Sequence, residues 1–332
     1  MIRVGINGFG RIGRNVLRAI YESGYRDMIQ VVAINDLADR ETCAHLLRYD
    51  SIHGKFNQEV RLSGELLRVA GDDIAMLQHG DPLELPWAVA NVDLVLECTG
   101  KFTKREKAEA HIMAGASKVL ISAPSEDADA TVVYGVNEHV LEARHAIVSN
   151  ASCTTNCLAP VAMVLHENLG IEQGVLTTIH SYTNDQHLLD LAHKKDLFRA
   201  RAAGLSMIPT RTGAARAIGK VLPGLEGRLT GMAVRVPTAN VSLLDLSLKV
   251  ARHVSAEEIN AMMLAASRET PILEYNDLPL VSIDFTHSTA SAIFDANHTQ
   301  SHEGMVKVLA WYDNEWGFSH RMLDTALTMM SA

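Results

Sequence analysis

The stretch from residue 3 to residue 13 reads RVGINGFGRIG. Its apolar start predicts a β-strand, and the pattern G-x-G-x-x-G formed by Gly8, Gly10 and Gly13 predicts a tight turn that opens a helix. Asp36 ends a second predicted strand 23 residues after Gly13, where a carboxylate can accept both hydroxyls of an adenine ribose. Gly8 and Gly10 would let backbone N–H groups approach a pyrophosphate, and Gly13 would let helix and strand pack closely. The combination therefore predicts a dinucleotide-binding unit.

The alternative explanation is purely structural: the glycines only make a tight turn, and Asp36 only caps a loop. It leaves the coincidence of strand, glycines, helix and carboxylate unexplained, so we favour the nucleotide site. Because a carboxylate repels a 2′-phosphate, Asp36 also favours NAD over NADP. Arg40 lies close along the chain and could weaken that preference, although a solvated surface arginine is the simpler explanation.

Strand-like runs alternate with helical patterns through the first 150 residues, which predicts a mostly parallel sheet wrapped by helices. The first helix is predicted over residues 11–23, with Gly24 at its C-terminal cap. The fold class is therefore α/β, with a doubly wound (Rossmann) NAD-binding domain followed by an α+β catalytic domain. The predicted strands after the first are 31–34, 92–97, 118–121, 131–134 and 146–148.

The pattern changes near residue 150. Residues 181–216 are polar, carry several cations and lack periodicity, which predicts a long functional loop. Strands predicted at 232–236 and 241–250 are expected to be neighbours. The other predicted elements are a helix at 154–169, a strand at 175–180, a helix at 255–267 opened by a capping box of Ser255 and Glu258, a strand at 306–312 and a final helix at 319–330.

The chain has 332 residues, of which 47% are hydrophobic, so it can bury a core, and its formal charge of −9 argues against general binding to nucleic-acid phosphates. It has no run of apolar residues long enough for a membrane span, and its start lacks the apolar segment of a secretory signal. We therefore expect a cytoplasmic protein with no membrane or nucleic-acid partner. The four cysteines are expected to be free thiols, because their spacing fits neither a disulfide scaffold nor zinc knuckles.

A second stretch, residues 149–157, reads SNASCTTNC and precedes an apolar helical pattern. Cys153 is expected at the helix N-terminus, whose positive end, together with a nearby imidazole, can lower the pKa of the thiol and make it nucleophilic. His180 is the candidate base, because it ends an apolar strand and enters a polar loop. From the residues alone, this pairing stands level with a structural histidine and an inert buried thiol. Cys157, one helical turn later, is expected in the core.

Six short motifs occur in order along the chain. They are NGFGRIG at 7–13, SNASCTTN at 149–156, HSYT at 180–183, PTRTGAA at 209–215, RVPT at 235–238 and WYDNEWG at 311–317. Together they resemble the phosphorylating glyceraldehyde-3-phosphate dehydrogenase family over the whole chain. The run Ser-Cys-Thr-Thr-Asn is highly specific to that family and to its close relative, erythrose-4-phosphate dehydrogenase.

The resemblance implies NAD as cofactor and a reaction through a cysteine thioester. Cys153 would attack the substrate aldehyde, His180 would accept the thiol proton, and inorganic phosphate would then release an acyl phosphate. The implied cofactor-binding residues are Asn7, Gly8, Gly10, Arg11, Ile12, Gly13, Asp36, Thr99, Ser122 and Asn314, the last of which would hold the nicotinamide carboxamide.

Two anion sites are implied, one for the substrate phosphate and one for inorganic phosphate. Thr183 and Arg235 are assigned to the first, and an arginine within an apolar strand is costly unless it meets an anion. Arg201 is the alternative to Arg199 at the second site, because the loop around them departs from the family pattern. The remaining phosphate-binding residues are Ser152, Thr154, Arg199, Thr212 and Gly213.

The implied partners are a small sugar phosphate and inorganic phosphate, in glycolysis or gluconeogenesis. Residues 181–203 resemble a segment that reaches a neighbouring subunit, which implies a homotetramer. The predicted domains are an NAD-binding domain of residues 1–152 with the C-terminal helix 317–332, and a catalytic domain of residues 153–316.

Two short patterns could indicate a metal site or a nucleic-acid site, and two other functions are alternatives to the one favoured above. No metal is expected, since His298 and His302 lack a third ligand and are assigned to a polar loop. The basic run from His193 to Lys195 is weak evidence for nucleic acid in an acidic chain. The rivals are an erythrose-4-phosphate dehydrogenase and a nucleotide-binding redox sensor that uses Cys153 without turnover.

Overall fold

The computed structural model describes residues 1–194 and 196–332, so Lys195 of the basic run lies outside the described residues. The chain forms two compact units. The first contains Met1–Ser152 and Ser319–Ala332, and the second contains Cys153–Phe318.

The first unit contains a nine-stranded sheet of order β10-β11-β9-β8-β1-β2-β7-β6-β5. The strands from β10 to β7 are parallel, and β6 and β5 add an antiparallel edge. The predicted mostly parallel sheet is therefore confirmed. The strands are β1 Ile2–Asn7, β2 Ile29–Asn35, β3 Tyr49–Asp50, β4 Gly54–Lys55, β5 Val60–Ser63, β6 Leu66–Val69, β7 Asp72–Leu77, β8 Leu94–Glu97, β9 Lys118–Ile121, β10 Ala130–Thr131 and β11 Ile147–Ser149, with β3 and β4 forming a separate ribbon.

The α-helices described between Met1 and Ser152 are α1 Arg11–Glu22, α2 Arg40–Arg48 and α3 Arg105–Met113. The predicted first helix is confirmed: it buries Val16, Leu17 and Ile20, and Gly24 follows it at φ +81°. The predicted strand at 131–134 is wrong beyond Thr131. The Asn137 side chain accepts a hydrogen bond from the Val133 N–H and donates to the Thr131 carbonyl, which turns the chain away from the sheet.

The strand order reverses at β1, which lies between β2 and β8. In parallel sheets, ligands bind outside the carboxyl ends of the strands at such a switch point. Here those ends are Asn7, Asn35 and Glu97.

The second unit contains a seven-stranded mixed sheet of order β13-β14-β12-β15-β18-β17-β16. Its helices are α4 Cys153–Leu169, α5 Ala214–Val221 and α6 Ala256–Ser267, and α7 Trp316–Ser331 begins at its end. The predicted capping box of Ser255 and Glu258 is confirmed. The strands are β12 Ile171–Ser181, β13 Ile208–Arg211, β14 Leu229–Val236, β15 Ser242–Val250, β16 Leu273–Asn276, β17 Ala292–His302 and β18 Met305–Tyr312.

Three expectations for this unit are wrong. The strands β14 and β15 are not neighbours, because β12 pairs with both of them and the connecting residues pass its end, where the Tyr182 N–H donates to the Thr238 carbonyl. The irregular stretch 181–216 contains β13 and the start of α5, since Pro209 and its neighbours pair with β14. His298 and His302 lie in β17 rather than in a loop.

Among the described residues, no group of three or more histidine, cysteine, aspartate or glutamate side chains could hold a metal ion. Within the same residues, no helix combines the length and the apolar character needed to cross a bilayer.

Candidate active site

The glycine turn after β1 forms one side of a pocket in the first unit. Gly8 has φ +93°, and a Cβ there would lie 2.7 Å from the Thr99 backbone nitrogen. A Cβ on Gly13 would overlap the Gly8 carbonyl oxygen, whereas a Cβ on Gly10 would meet nothing within 4 Å. The turn therefore needs Gly8 and Gly13 for its own packing, and it leaves the backbone at Gly10 open to a ligand.

Asp36 follows β2 and lines the same pocket as Asn7, Gly8 and Thr99. Its carboxylate accepts hydrogen bonds from the Phe9 N–H at 2.6 Å and from the Ala38 N–H at 2.9 Å. The residue thus supports the glycine turn and also lies in the pocket, where a carboxylate can meet ribose hydroxyls.

Three other predicted cofactor residues, Arg11, Ile12 and Ser122, are not among the described residues that line this pocket. Arg11 forms an ion pair with Asp50; burial opposes ionisation of that carboxyl, but hydrogen bonds from Arg11 and the backbone hold its pKa below the ordinary value. Ile12 is partly buried in the first turn of α1. Ser122 follows β9, and its N–H donates to the Glu97 carbonyl at 3.0 Å.

The second unit brings Cys153 and His180 together. Cys153 is the first residue of α4, and His180 is the penultimate residue of β12. The Cys153 Sγ lies 3.5 Å from the His180 Nε2. Cys157 is fully buried, which confirms its expected place in the core.

The imidazole of His180 is neutral. Burial, aided by the positive charge of Arg235, lowers its pKa to about 3, and the residue is only 4% exposed. Its Nδ1 lies 2.7 Å from the Ser181 carbonyl, which accepts a hydrogen bond but cannot donate one. The Nδ1 also lies 2.9 Å from the Arg235 Nη1, which can only donate, so these two contacts fit different tautomers; in both of them Nε2 faces the thiol.

Burial raises the pKa of the Cys153 thiol, although the charge of Arg235 and hydrogen bonds from Thr154 oppose this effect. The expected lowering of this pKa is therefore wrong. The thiol and the imidazole form a neutral pair, and in the tautomer with its proton on Nδ1 the sulfur proton can pass directly to Nε2.

Tyr312, which the sequence analysis did not single out, supports this pair. Its hydroxyl lies 2.9 Å from the Thr154 Oγ1 and 2.7 Å from the Thr178 Oγ1, and its ring meets the His180 ring edge to face at 5.9 Å. Thr154 therefore uses its hydroxyl within the protein. The inward position of Tyr312 on β18, inside the WYDNEWG motif, is the signal that could have identified it.

Arg235 lies beside His180 because the two residues are in register on the neighbouring parallel strands β12 and β14. Its Nη1 is 2.9 Å from the His180 Nδ1 and 3.0 Å from the Ser181 carbonyl oxygen. Its Nε is buried without a hydrogen-bond partner, and the ion pairs seen among the described residues do not include it. Burial lowers the pKa of this guanidinium, as expected for a cation without a counter-ion.

Arg199 has different surroundings. Its Nη1 pairs with Asp185 at 2.6 Å, its Nε donates to the Thr210 hydroxyl at 2.8 Å, and Asp196 lies 3.4 Å away. Arg201 instead pairs with Asp190 at an exposed position. The structure thus places Arg199, rather than Arg201, next to the 210–213 segment.

The other predicted phosphate residues lie at the ends of elements. Thr183 is exposed after β12, and its N–H donates to the Gln186 Oε1 at 3.0 Å. Thr212 and Gly213 precede α5, and the Thr212 hydroxyl accepts from the Ala214 N–H at 3.3 Å. Ser152 is partly buried after Ala151, whose φ of +57° marks a strained turn before α4.

Asn314 is buried and its side chain is oriented by two hydroxyls. Ser181 and Ser242 each donate to its Oδ1 at 2.8 Å. Its amide nitrogen is therefore the atom left for a ligand carbonyl. Asp313 fixes the turn by accepting from the Glu315 and Trp316 N–H groups at the start of α7.

Comparison with known proteins gives consistent matches over both units. Residues 2–105 match the NAD-binding domain of glyceraldehyde 3-phosphate dehydrogenase, and residues 152–314 match its C-terminal domain. The chain is 63% identical to a glyceraldehyde-3-phosphate dehydrogenase of Pseudomonas aeruginosa, with 100% of this chain and 99% of that protein aligned. It is 58% identical to the chromosomal enzyme of that name from Cupriavidus necator (100% and 99% covered) and 54% identical to the one from Geobacillus stearothermophilus (99% and 98% covered).

Proposed function

The chain belongs to the glyceraldehyde-3-phosphate dehydrogenase family, and from this premise we propose that it catalyses the phosphorylating oxidation of D-glyceraldehyde 3-phosphate to 1,3-bisphosphoglycerate. It is an NAD-dependent dehydrogenase, and NAD is its cofactor. The observation that carries the proposal is the pair of Cys153 Sγ and His180 Nε2 at 3.5 Å beside the unpaired cation of Arg235.

The residues of the first-unit pocket fit NAD. Gly10 leaves its backbone free for a pyrophosphate, and Asp36 presents a carboxylate at the end of β2. Asn314, in the second unit, offers its amide nitrogen to the nicotinamide carboxamide. When bound, NAD supplies the hydride acceptor.

Cys153 attacks the substrate aldehyde as His180 takes the thiol proton at Nε2. With the thiol proton on His180, the thiohemiacetal is an anion, and bound NAD would accept the hydride released as this anion becomes an acyl thioester on Cys153. Backbone N–H groups at the start of α4 and the His180 side chain are the donors for the developing oxyanion. Inorganic phosphate then attacks the acyl carbon, the carbon–sulfur bond breaks, and the Cys153 sulfur takes its proton back from His180 as the acyl phosphate leaves.

The two phosphates need different sites. Arg235 and Thr183 bind the substrate phosphate, since Arg235 is desolvated and has no counter-ion in the part of the chain that the structure describes. Ser152, Thr154, Arg199, Thr212 and Gly213 form the region for inorganic phosphate. Arg199 already has carboxylate partners, so its contribution there is smaller.

We also propose that the protein is a cytoplasmic homotetramer of glycolysis and gluconeogenesis. The segment 187–207 carries large apolar side chains that the isolated chain exposes, with Leu188 at 92% and Leu205 at 86%. Such a concentration of apolar surface is typical of a protein interface, here with another copy of the chain.

The test is a steady-state assay of NADH formation with glyceraldehyde 3-phosphate and erythrose 4-phosphate. We expect kcat/KM to favour the former by at least about tenfold, because one misplaced charge-assisted contact costs about 1.5–3 kcal/mol. Equal or higher rates with erythrose 4-phosphate would transfer the assignment to the rival dehydrogenase. No turnover with either substrate would favour the redox sensor.

The covalent step has its own test. Cys153→Ser should abolish turnover and leave NAD binding nearly intact, whereas the control Cys157→Ser should mainly cost packing in the core. Mass spectrometry of the trapped acyl-enzyme should find the acyl group on Cys153. Its detection on any other residue would overturn the assignment.

A further inference from the structure

A buried carboxylate in the first unit forms hydrogen bonds with two residues that line the nucleotide pocket. Glu97 ends β8 and has no exposed surface. Four hydrogen-bond donors converge on its two oxygens. They are the Asn7 amide at 2.6 Å, the His111 Nε2 at 3.1 Å, the Thr99 backbone N–H at 2.8 Å and the Thr99 hydroxyl.

The proton position on His111 follows from its other partner. Trp87 Nε1, which can only donate, lies 3.0 Å from His111 Nδ1. Nδ1 is therefore the acceptor, and a neutral imidazole carries its proton on Nε2, which faces Glu97. Trp87, His111 and Glu97 thus form a fully buried chain of hydrogen bonds with a single direction.

We propose that Glu97 is a positioning residue for NAD. Its carboxylate fixes Asn7 and Thr99, two residues that line the pocket. The inference rests on the cofactor roles proposed for those two residues, both of which line the pocket. Asn7 is held at both ends of its amide, because its Oδ1 also accepts from Asn35 at 2.8 Å. Thr99 in turn sets the space beside Gly8, where a Cβ would lie 2.7 Å from the Thr99 nitrogen.

The four donors around Glu97 require a side chain that accepts hydrogen bonds and donates none. Two carboxylate oxygens can accept all four bonds, whereas a glutamine offers one acceptor oxygen and places an NH₂ group against donors. Unmet buried donors are costly, so the neighbouring groups in Glu97→Gln must move to find other partners. The groups that would move are those of Asn7 and Thr99, which form the cofactor surface.

The test measures NAD binding to Glu97→Gln by calorimetry, together with KM and kcat. We expect the Kd for NAD to rise at least about tenfold, with the loss falling more on KM for NAD than on kcat. The matched control is Asp129→Asn, a partly buried carboxylate that accepts from the Ala146 and Ile147 N–H groups at the opposite, amino end of β11. Its effect on the Kd for NAD should stay within about twofold, even where the thermal midpoint falls.

A folded Glu97→Gln protein with the wild-type Kd would overturn the proposal, as would an equal rise in the Asp129→Asn control. Should Glu97→Gln fail to fold, the pair His111→Gln and His111→Leu decides. Glutamine can donate to Glu97 and accept from Trp87, whereas leucine can do neither. His111→Leu should bind NAD at least about threefold more weakly than His111→Gln, and equal affinities would refute the positioning role. A wild-type protein that does not bind NAD would instead refute the proposed function itself.

Discussion

Arg235 and Arg199 belong to the same unit, yet among the described residues Arg235 has no carboxylate partner and Arg199 has two. Arg235 contacts a neutral imidazole and a carbonyl, and its Nε is buried without a partner. Arg199 pairs with Asp185 and Asp196 and also donates to Thr210. A desolvated cation without a counter-ion is stabilised when an anion arrives, whereas a paired cation has that energy already. From this contrast we propose that the Arg235 region binds the substrate phosphate and that Arg199 mainly organises its loop.

The reason lies in the different elements that carry these side chains. Arg235 is fixed by its register opposite His180, so its charge is held next to the reacting groups. Arg199 comes from the irregular segment before β13, where Asp185 and Asp196 lie within reach. Its ion pairs therefore hold that segment together.

We expect the greatest loss of activity when the histidine beside Arg235 is replaced, and little loss when the histidine near Arg199 is replaced. His180→Asn should lower kcat by about 10²–10⁴, because a general base is lost next to Arg235. It should also slow alkylation of Cys153 near neutral pH, since Nε2 no longer accepts the thiol proton. His193→Asn is the matched control, because His193 lies 3.3 Å from Asp185 in the Arg199 region. Comparable losses of kcat in both variants would contradict the division between the regions.

The next effect concerns Arg235 itself. Arg235→Leu should raise KM for glyceraldehyde 3-phosphate by about ten- to a hundredfold, which corresponds to one lost charge-assisted contact of about 1.5–3 kcal/mol. Steady-state kinetics at saturating NAD measures this change. Arg201→Leu, which removes an exposed arginine paired with Asp190, serves as the control. An unchanged KM in Arg235→Leu would show that the unpaired cation does not bind the substrate phosphate.

Arg199→Leu should have a smaller effect on catalysis. We expect KM for inorganic phosphate to rise by less than about fivefold, because Asp185 and Asp196 already neutralise this charge. The free energy of unfolding should fall by about 0–1 kcal/mol, as for other partly exposed ion pairs. The proposed division of roles would be wrong if Arg199→Leu raised KM for inorganic phosphate as strongly as Arg235→Leu raises KM for the sugar phosphate.

The sequence predicts the parts of this site that depend on local pattern. Cys153 is expected at the start of a helix because polar residues give way to an apolar periodic run, and α4 begins at that residue. Asp36 is expected after the second strand for a similar reason, and it lies in the pocket with Gly8.

Features that depend on the order of strands could not be predicted in this way. His180 and Arg235 are 55 residues apart and meet only because β12, rather than β15, lies next to β14. The raised pKa of the Cys153 thiol depends on how completely its surroundings are desolvated, and local sequence carries no measure of that. Tyr312 was missed for the same reason, since its role is set by contacts with Thr154 and Thr178 on other elements.

A smaller effect is expected on the stability of the protein, measured as the pH dependence of its free energy of unfolding. Burial and Arg235 lower the pKa of His180 to about 3 in the folded protein, from an ordinary value of 6.5. Below pH 6.5 the unfolded chain therefore binds a proton that the folded protein does not, and the free energy of unfolding falls as the pH falls. For one such group the loss between pH 7 and pH 5 is about 2 kcal/mol. Urea unfolding at both pH values should show this loss in the wild type and a loss smaller by about that amount in His180→Asn. An identical pH dependence in the two proteins would mean that His180 is not held neutral by its burial beside Arg235.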